Sequence, residues 1–139
     1  MKQLLTKISH PLDVKIKKVD TEGTFNLSNG KITDFCCEKE DEGISSIILE
    51  MDPDTCFNYI EIVPGSNIIF PENFRIEFSD DKLVWEPLLQ ETGFSNSGKK
   101  TGRWHFPLTS STFVKLVARL GKSEKKMTFK CLSIRIFIS

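Results

Sequence analysis

Apolar side chains recur at every second position in one short segment after another, and this period is what most limits the folds open to the chain. Successive side chains of a strand point to opposite faces, so such alternation marks strands with one face buried and the other in water. Leu12, Val14 and Ile16 alternate with Asp13, Lys15 and Lys17, and Phe25 and Leu27 form a shorter run. Ile47, Leu49 and Met51 follow the same period, as do Ile60 with Ile62, Phe74 with Ile76 and Phe78, and Trp104 with Phe106 and Leu108. In the last stretch Met127, Phe129 and Cys131 share one parity and Leu132, Ile134, Ile136 and Ile138 the other. One extra residue swaps the buried face of a strand, so this switch predicts a β-bulge. Phe113 to Leu120 fits helical and strand spacing equally, and its neighbours make it a strand.

Turn residues punctuate these segments. Asn29-Gly30 favours positive φ and predicts a tight turn. Glu22-Gly23, Asp52-Pro53-Asp54, Pro64-Gly65 and Thr109-Ser110-Ser111 mark further breaks. Ser79-Asp80-Asp81-Lys82 reads as a polar turn leading into a strand Leu83-Val84-Trp85, which predicts a hairpin. Two connections carry charge: an acidic loop from Glu38 to Glu42 and a polar loop over 95–103 with three cations. About eight short strands with regular turn signals predict an all-β antiparallel sandwich or barrel. A length of 139 residues fits one domain over 1–139.

Composition excludes several classes of partner. Nineteen basic residues balance 19 acidic ones, so the basic excess expected of a nucleic-acid binder is missing. No apolar run approaches the roughly 20 residues of a membrane span, and the N-terminal stretch lacks the apolar region of a secretory signal. Cys36, Cys37, Cys56 and Cys131 show no paired spacing, and only His10 and His105 are there to help them, so no zinc site is expected. All four are expected to be free thiols. That favours a reducing, cytoplasmic compartment, or an extracellular one if the chain is a domain cut from a longer exported protein.

The segment FRIEFSDDKLVWEPLLQETGF, residues 74–94, resembles the central hairpin of discoidin, or coagulation-factor C-type, domains of the galactose-binding-like superfamily. WHFPLTSSTFVKLVA, residues 104–118, is similar to the aromatic-Pro segment and following strand of that family, and the likeness is strongest over 74–118. NLSNGKITDF at 26–35 and IILEMDPDTCFNYIEI at 47–62 resemble its earlier turn and strand pair. The resemblance implies a jelly-roll β-sandwich and a non-catalytic module that binds a glycan. The alternative is an intracellular protein-interaction module on the same fold. Many members hold a structural calcium. Here Asn29 stands for the family's Asp, Thr33 is retained, and Ser133 lies about where an acid would be, so the best oxygen donors are missing and no cofactor is expected.

Candidate chemistry is sparse. Cys36 or Cys37 with His105 has the composition of a nucleophile and its base, but His105 lies in a strand between Trp104 and Phe106, where a partly buried histidine is the ordinary reading. The run Glu38-Lys39-Glu40-Asp41-Glu42 has carboxylates, but consecutive loop carboxylates do not face each other across a sugar. Trp85 and Trp104 are both expected in the core. That leaves Asn96, Ser97, Lys99, Lys100 and Arg103 as candidate ligand contacts, since they crowd hydrogen-bond donors into one polar loop.

Overall fold

The computed structural model describes residues 12–40, 44–65, 73–88, 102–119 and 126–138. Eleven strands run through them: β1 (Leu12–Asp13), β2 (Lys18–Thr21), β3 (Thr24–Ser28), β4 (Lys31–Glu40), β5 (Ile44–Glu50), β6 (Cys56–Pro64), β7 (Asn73–Ser79), β8 (Glu86–Pro87), β9 (Gly102–Ser110), β10 (Phe113–Arg119) and β11 (Lys126–Ile138). One sheet has the order β3-β4-β11-β6-β9, with β1 beside β11 as its sixth strand; the other has the order β2-β5-β10-β7-β8. The expected all-β antiparallel sandwich is therefore present, with eleven strands where about eight were expected. Three of them, β1, β2 and β8, have only two to four residues, too few for an alternating pattern to register.

The two sheets close over a shared core because their inner faces carry the alternating residues. Ile32, Phe35, Ile60, Ile62, Trp104, Ile134 and Ile136 come from the six-stranded sheet, and Ile47, Leu49, Ile76, Val114 and Leu116 from the other. Aromatic rings bridge the layers. Phe78 of β7 lies 5.6 Å from Phe57 and 5.5 Å from Phe106, and Phe74 stacks 5.5 Å from Trp104. Removing a side chain such as Phe57 from water contributes about 1.5–3 kcal/mol.

Local chemistry accounts for the turns. Asn29 and Gly30 have φ of 53° and 77°, the geometry of a tight hairpin turn between β3 and β4. At Gly23 the need is close approach, since a Cβ there would sit 2.5 Å from the Cys36 carbonyl oxygen. Pro64-Gly65 ends β6 as the sequence predicts.

Register separates the two sheets. β10 keeps one register against both β5 and β7 from Phe113 to Arg119. The six-stranded sheet shifts three times: between Thr24 and Asn26 on β3, between Phe57 and Tyr59 on β6, and between Cys131 and Ser133 on β11. The last is the bulge that the parity switch predicts. β4 changes face as well, since Ile32 and Phe35, three residues apart, are both buried, and Asp34 between them has φ 54°. β4 and β11 make the change in step, with Cys131 opposite Phe35 and Ser133 opposite Thr33.

Some local expectations are corrected. Glu38 to Glu40 belong to β4 and pair with Lys126 to Thr128, because backbone pairing with β11 continues past the point where charge suggested a loop. Leu83-Val84-Trp85 is no strand; β8 closes the hairpin instead, with Glu86 opposite Phe78. Leu108 is 61% exposed despite its alternation with Phe106. After Asp13 the chain leaves the sheet, although Ile16 is buried and its N–H donates to the Gly30 carbonyl. All four cysteines are free thiols: Cys37 and Cys131 buried, Cys36 half-buried, Cys56 exposed. Burial, then the neighbouring Cys36, pushes the Cys131 thiol well above its ordinary range. No helix among the described residues is long and apolar enough to cross a membrane.

Candidate functional site

A concavity among the described residues lies where the β7–β8 loop meets the β9–β10 turn, and it begins with the sequence Ser79-Asp80-Asp81-Lys82. Ser79 is buried at the end of β7, and its Oγ accepts hydrogen bonds from the N–H groups of Asp81 at 3.2 Å and Lys82 at 2.9 Å. Asp81 Oδ1 accepts the N–H of Leu83 at 2.8 Å and of Val84 at 3.0 Å. Two backbone amides on one carboxylate stabilise its charge, so the Val84 and Leu83 N–H groups hold the Asp81 carboxyl below its ordinary range. These bonds take the loop out of the sheet ladder, which is why the apolar run 83–85 is not a strand.

The loop is tied to the opposite turn from two sides. Asp80 Oδ1 accepts the Thr112 N–H at 3.2 Å, and the buried Ser111 hydroxyl lies 2.9 Å from both the Ser79 and the Phe113 carbonyl oxygens. Between them opens a cleft of about 280 Å³. Its lining brings together the carboxylate residues Asp80, Asp81 and Glu86, the hydroxyl residues Ser79, Thr109, Ser110 and Ser111, and the apolar Phe78 and Val84. Leu83 and Val84 are 82% and 68% exposed, so the loop holds two large apolar side chains out in water beside a polar hollow.

Trp104 is in the core as expected, 2% exposed. Trp85 is not; it is half-buried in the β7–β8 loop, its indole N–H donating to the Lys82 carbonyl at 3.1 Å and its ring carrying the Lys115 ammonium 4.1 Å from the centroid. His105 is exposed rather than partly buried, and stacks on Tyr59 at 4.0 Å across β9 and β6. β4, with Cys36 and Cys37, and β9, with His105, have β11 and β6 between them. Three interstrand spacings make about 14 Å, too far for a thiol and its base.

Asn96, Ser97, Lys99 and Lys100 lie outside the described residues. Arg103 is placed within β9, at the end of the sandwich away from the cleft, with Nε 3.3 Å from Glu61 Oε2. It heads a ladder of charges across the outer face of the six-stranded sheet: Glu61 next meets Arg135 at 3.9 Å, Arg135 meets Asp13 at 3.0 Å, and Asp13 meets Lys31 at 3.1 Å. Thr33 and Ser133 face each other across β4 and β11, and Asn29 lies at the β3–β4 turn. Among the described residues no group of three or more His, Cys, Asp or Glu side chains could hold a metal ion.

Sequence reasoning identified both turns that make the cleft but read them as turns alone. The signal was the coincidence of side-chain acceptors in each, Ser-Asp-Asp and Thr-Ser-Ser, yet nothing local says that two turns 30 residues apart will meet.

Neither a protein-family model nor a curated protein matches the sequence. Solved structures do match its fold. A pectin-binding carbohydrate-binding module superposes with a TM-score of 0.63 at 19% identity, covering 88% of this chain and 91% of the other. The CBM32 module of AlyQ, solved with 4,5-unsaturated mannuronic acid, gives 0.64 at 14% identity over 92% and 99%. The fold is galactose-binding-like. A third relative in this fold, chitosan-binding module 1 of a chitosanase/glucanase from Paenibacillus sp. IK-5, gives 0.63 at 8% identity over 91% and 98%. The discoidin resemblance read from residues 74–118 thus matches the galactose-binding-like sandwich that the structure adopts.

Proposed function

We propose that this chain is a non-catalytic glycan-binding module. The observation that carries the reading is the cleft between the β7–β8 loop and the β9–β10 turn. It is an open hollow with hydroxyl and carboxylate residues on its lining and an apolar wall at Val84, the combination that meets the hydroxyls and the C–H face of a sugar ring. The fold supports it, since structures that share this sandwich over about nine-tenths of both chains are named for binding pectin and chitosan. Chemistry on the sugar would need a carboxyl kept protonated as general acid. Asp81 is held ionised by the backbone instead, which favours binding without cleavage.

Asn96, Ser97, Lys99, Lys100 and Arg103 are proposed as a further contact surface, of which Arg103 lies at the end of β9 away from the cleft. A glycan array probed with the whole chain is expected to show binding, with no shortening of any bound oligosaccharide on prolonged incubation. Absence of binding across the array, or release of cleavage products, would overturn the proposal. One observation favours a second reading: the exposed Leu83 and Val84 offer an apolar contact suited to a protein partner.

A further inference from the structure

We propose that the cleft selects a cationic sugar, an amino-sugar unit of a glycan, over neutral and acidic ones. This inference rests on the glycan-binding reading and names the ligand class of the same cleft.

Charge is the first ground. Asp80, Asp81 and Glu86 line the cleft, and among the described residues no lysine, arginine or histidine does. The nearby cations are committed elsewhere: Lys82 lies over the Phe113 ring at 5.1 Å, and Lys115 sits 3.4 Å from Glu77 and over Trp85. The balanced charge of the whole chain makes this local imbalance a property of the cleft and not of the surface at large.

Free acceptor capacity is the second. Asp80 and Asp81 use Oδ1 for loop and turn N–H groups, and their Oδ2 atoms have no hydrogen-bond partner among the described residues. The Glu86 carboxylate has no ion pair or hydrogen bond among the described residues. An ammonium group has donors and no acceptor, and a hydroxyl donates as well, so a polyhydroxylated amine matches a lining rich in acceptors. A uronate would bring a fourth carboxylate against three.

The apolar rim is the third, and it is independent of charge. Val84 lines the cleft while 68% exposed, and the hydrogen bonds of Asp81 fix the backbone that presents it. Such a side chain covers the C–H face of a pyranose without the ordering cost of a free loop.

The test is an NMR amide titration of the whole chain with four probes: a glucosamine tetramer, its N-acetylated counterpart, a galacturonate tetramer and a Lys-rich peptide. The glucosamine tetramer is expected to shift amides within 78–86 and 109–112 and to bind about tenfold more tightly than its N-acetylated counterpart, with affinity falling as salt rises. The double variant Asp80→Asn, Glu86→Gln is expected to lose about tenfold. Glu86→Gln alone, at an exposed position, keeps the test valid if the double variant fails to fold. Equal binding of the acetylated tetramer, shifts confined to other residues, or no loss in Glu86→Gln would overturn the inference. Binding of other glycans elsewhere on the chain would overturn it while leaving the glycan-binding reading standing. Shifts at 78–86 with the peptide and with no sugar would overturn both.

Discussion

The two sheets solve the same packing problem differently. The five-stranded sheet keeps one register along β5, β10 and β7, and there alternation in sequence maps closely onto burial: Val114, Leu116 and Ala118 face inward with Lys115 between them reaching Glu77, and of the other parity Val117 is buried as well. The six-stranded sheet shifts register in three of its pairings and turns both central strands over partway along. A bulge bends and twists a strand, so the irregular sheet wraps against a regular one. Its outer face then collects the charges from Arg103 to Lys31 in a ladder of opposite signs. Order in one sheet is fixed by periodicity, and in the other by particular residues at particular places.

The largest effect expected is in the regular sheet. Leu116→Ala, fully buried on the central strand, should destabilise by about 2–5 kcal/mol, read as a lower denaturant midpoint with unchanged slope. A cost below about 1 kcal/mol would mean that the regular sheet repacks freely, and the comparison would fail. In the irregular sheet the sensitive point is backbone geometry. Asp34, at φ 54°, is the one non-glycine residue with positive φ inside a described strand. Asp34→Val should cost about 1–2 kcal/mol while Asp34→Gly is tolerated; equal effects would show that the bulge does not depend on this conformation.

Smaller effects sharpen the contrast. Arg103→Ala removes an exposed pair from the outer ladder and should change stability by about 0.2–1 kcal/mol or less. A larger loss would make the ladder a structural part of the irregular sheet. The smallest effect concerns the loop at the end of the regular sheet and shows most clearly as a slope against pH. The Asp81 carboxyl lies below its ordinary value in the folded chain, so its contribution is present above the unfolded pKa of about 3.9 and is lost as pH falls through the lower folded value. Asp81→Asn should flatten the acid limb of stability against pH and lower stability at neutral pH by what the charge contributes there, with the slope near neutrality unchanged.

What the sequence disclosed follows the same division. The regular strands were legible because each inward residue is two positions from the next. The β11 bulge was legible because Cys131 and Leu132 to Ile138 display both parities in full. The change of face in β4 was not, since Cys36 and Cys37 follow Phe35 directly and fill both parities with the same residue type. Glu38 to Glu40 read as part of a loop because side-chain charge says nothing about backbone pairing, while Asp41 and Glu42 lie outside the described residues. Leu83-Val84-Trp85 looked like a strand because apolar residues say nothing about a carboxylate two positions upstream that captures their amides. Of the candidate site, the sequence showed both halves of the cleft and only topology joined them; of the five contacts it proposed in the polar loop, Arg103 alone falls among the described residues.

The depth at which the four thiols lie makes the protein its own clock. Cys56 stands exposed at the start of β6, while Cys37 and Cys131 are sealed inside the irregular sheet. A thiol reagent should therefore label Cys56 at once and Cys36 more slowly. Cys131, whose proton burial holds tightly, can react only when β11 parts from its neighbours. The spacing in time between the first label and the last would measure how often the sandwich opens, without any substitution in the chain.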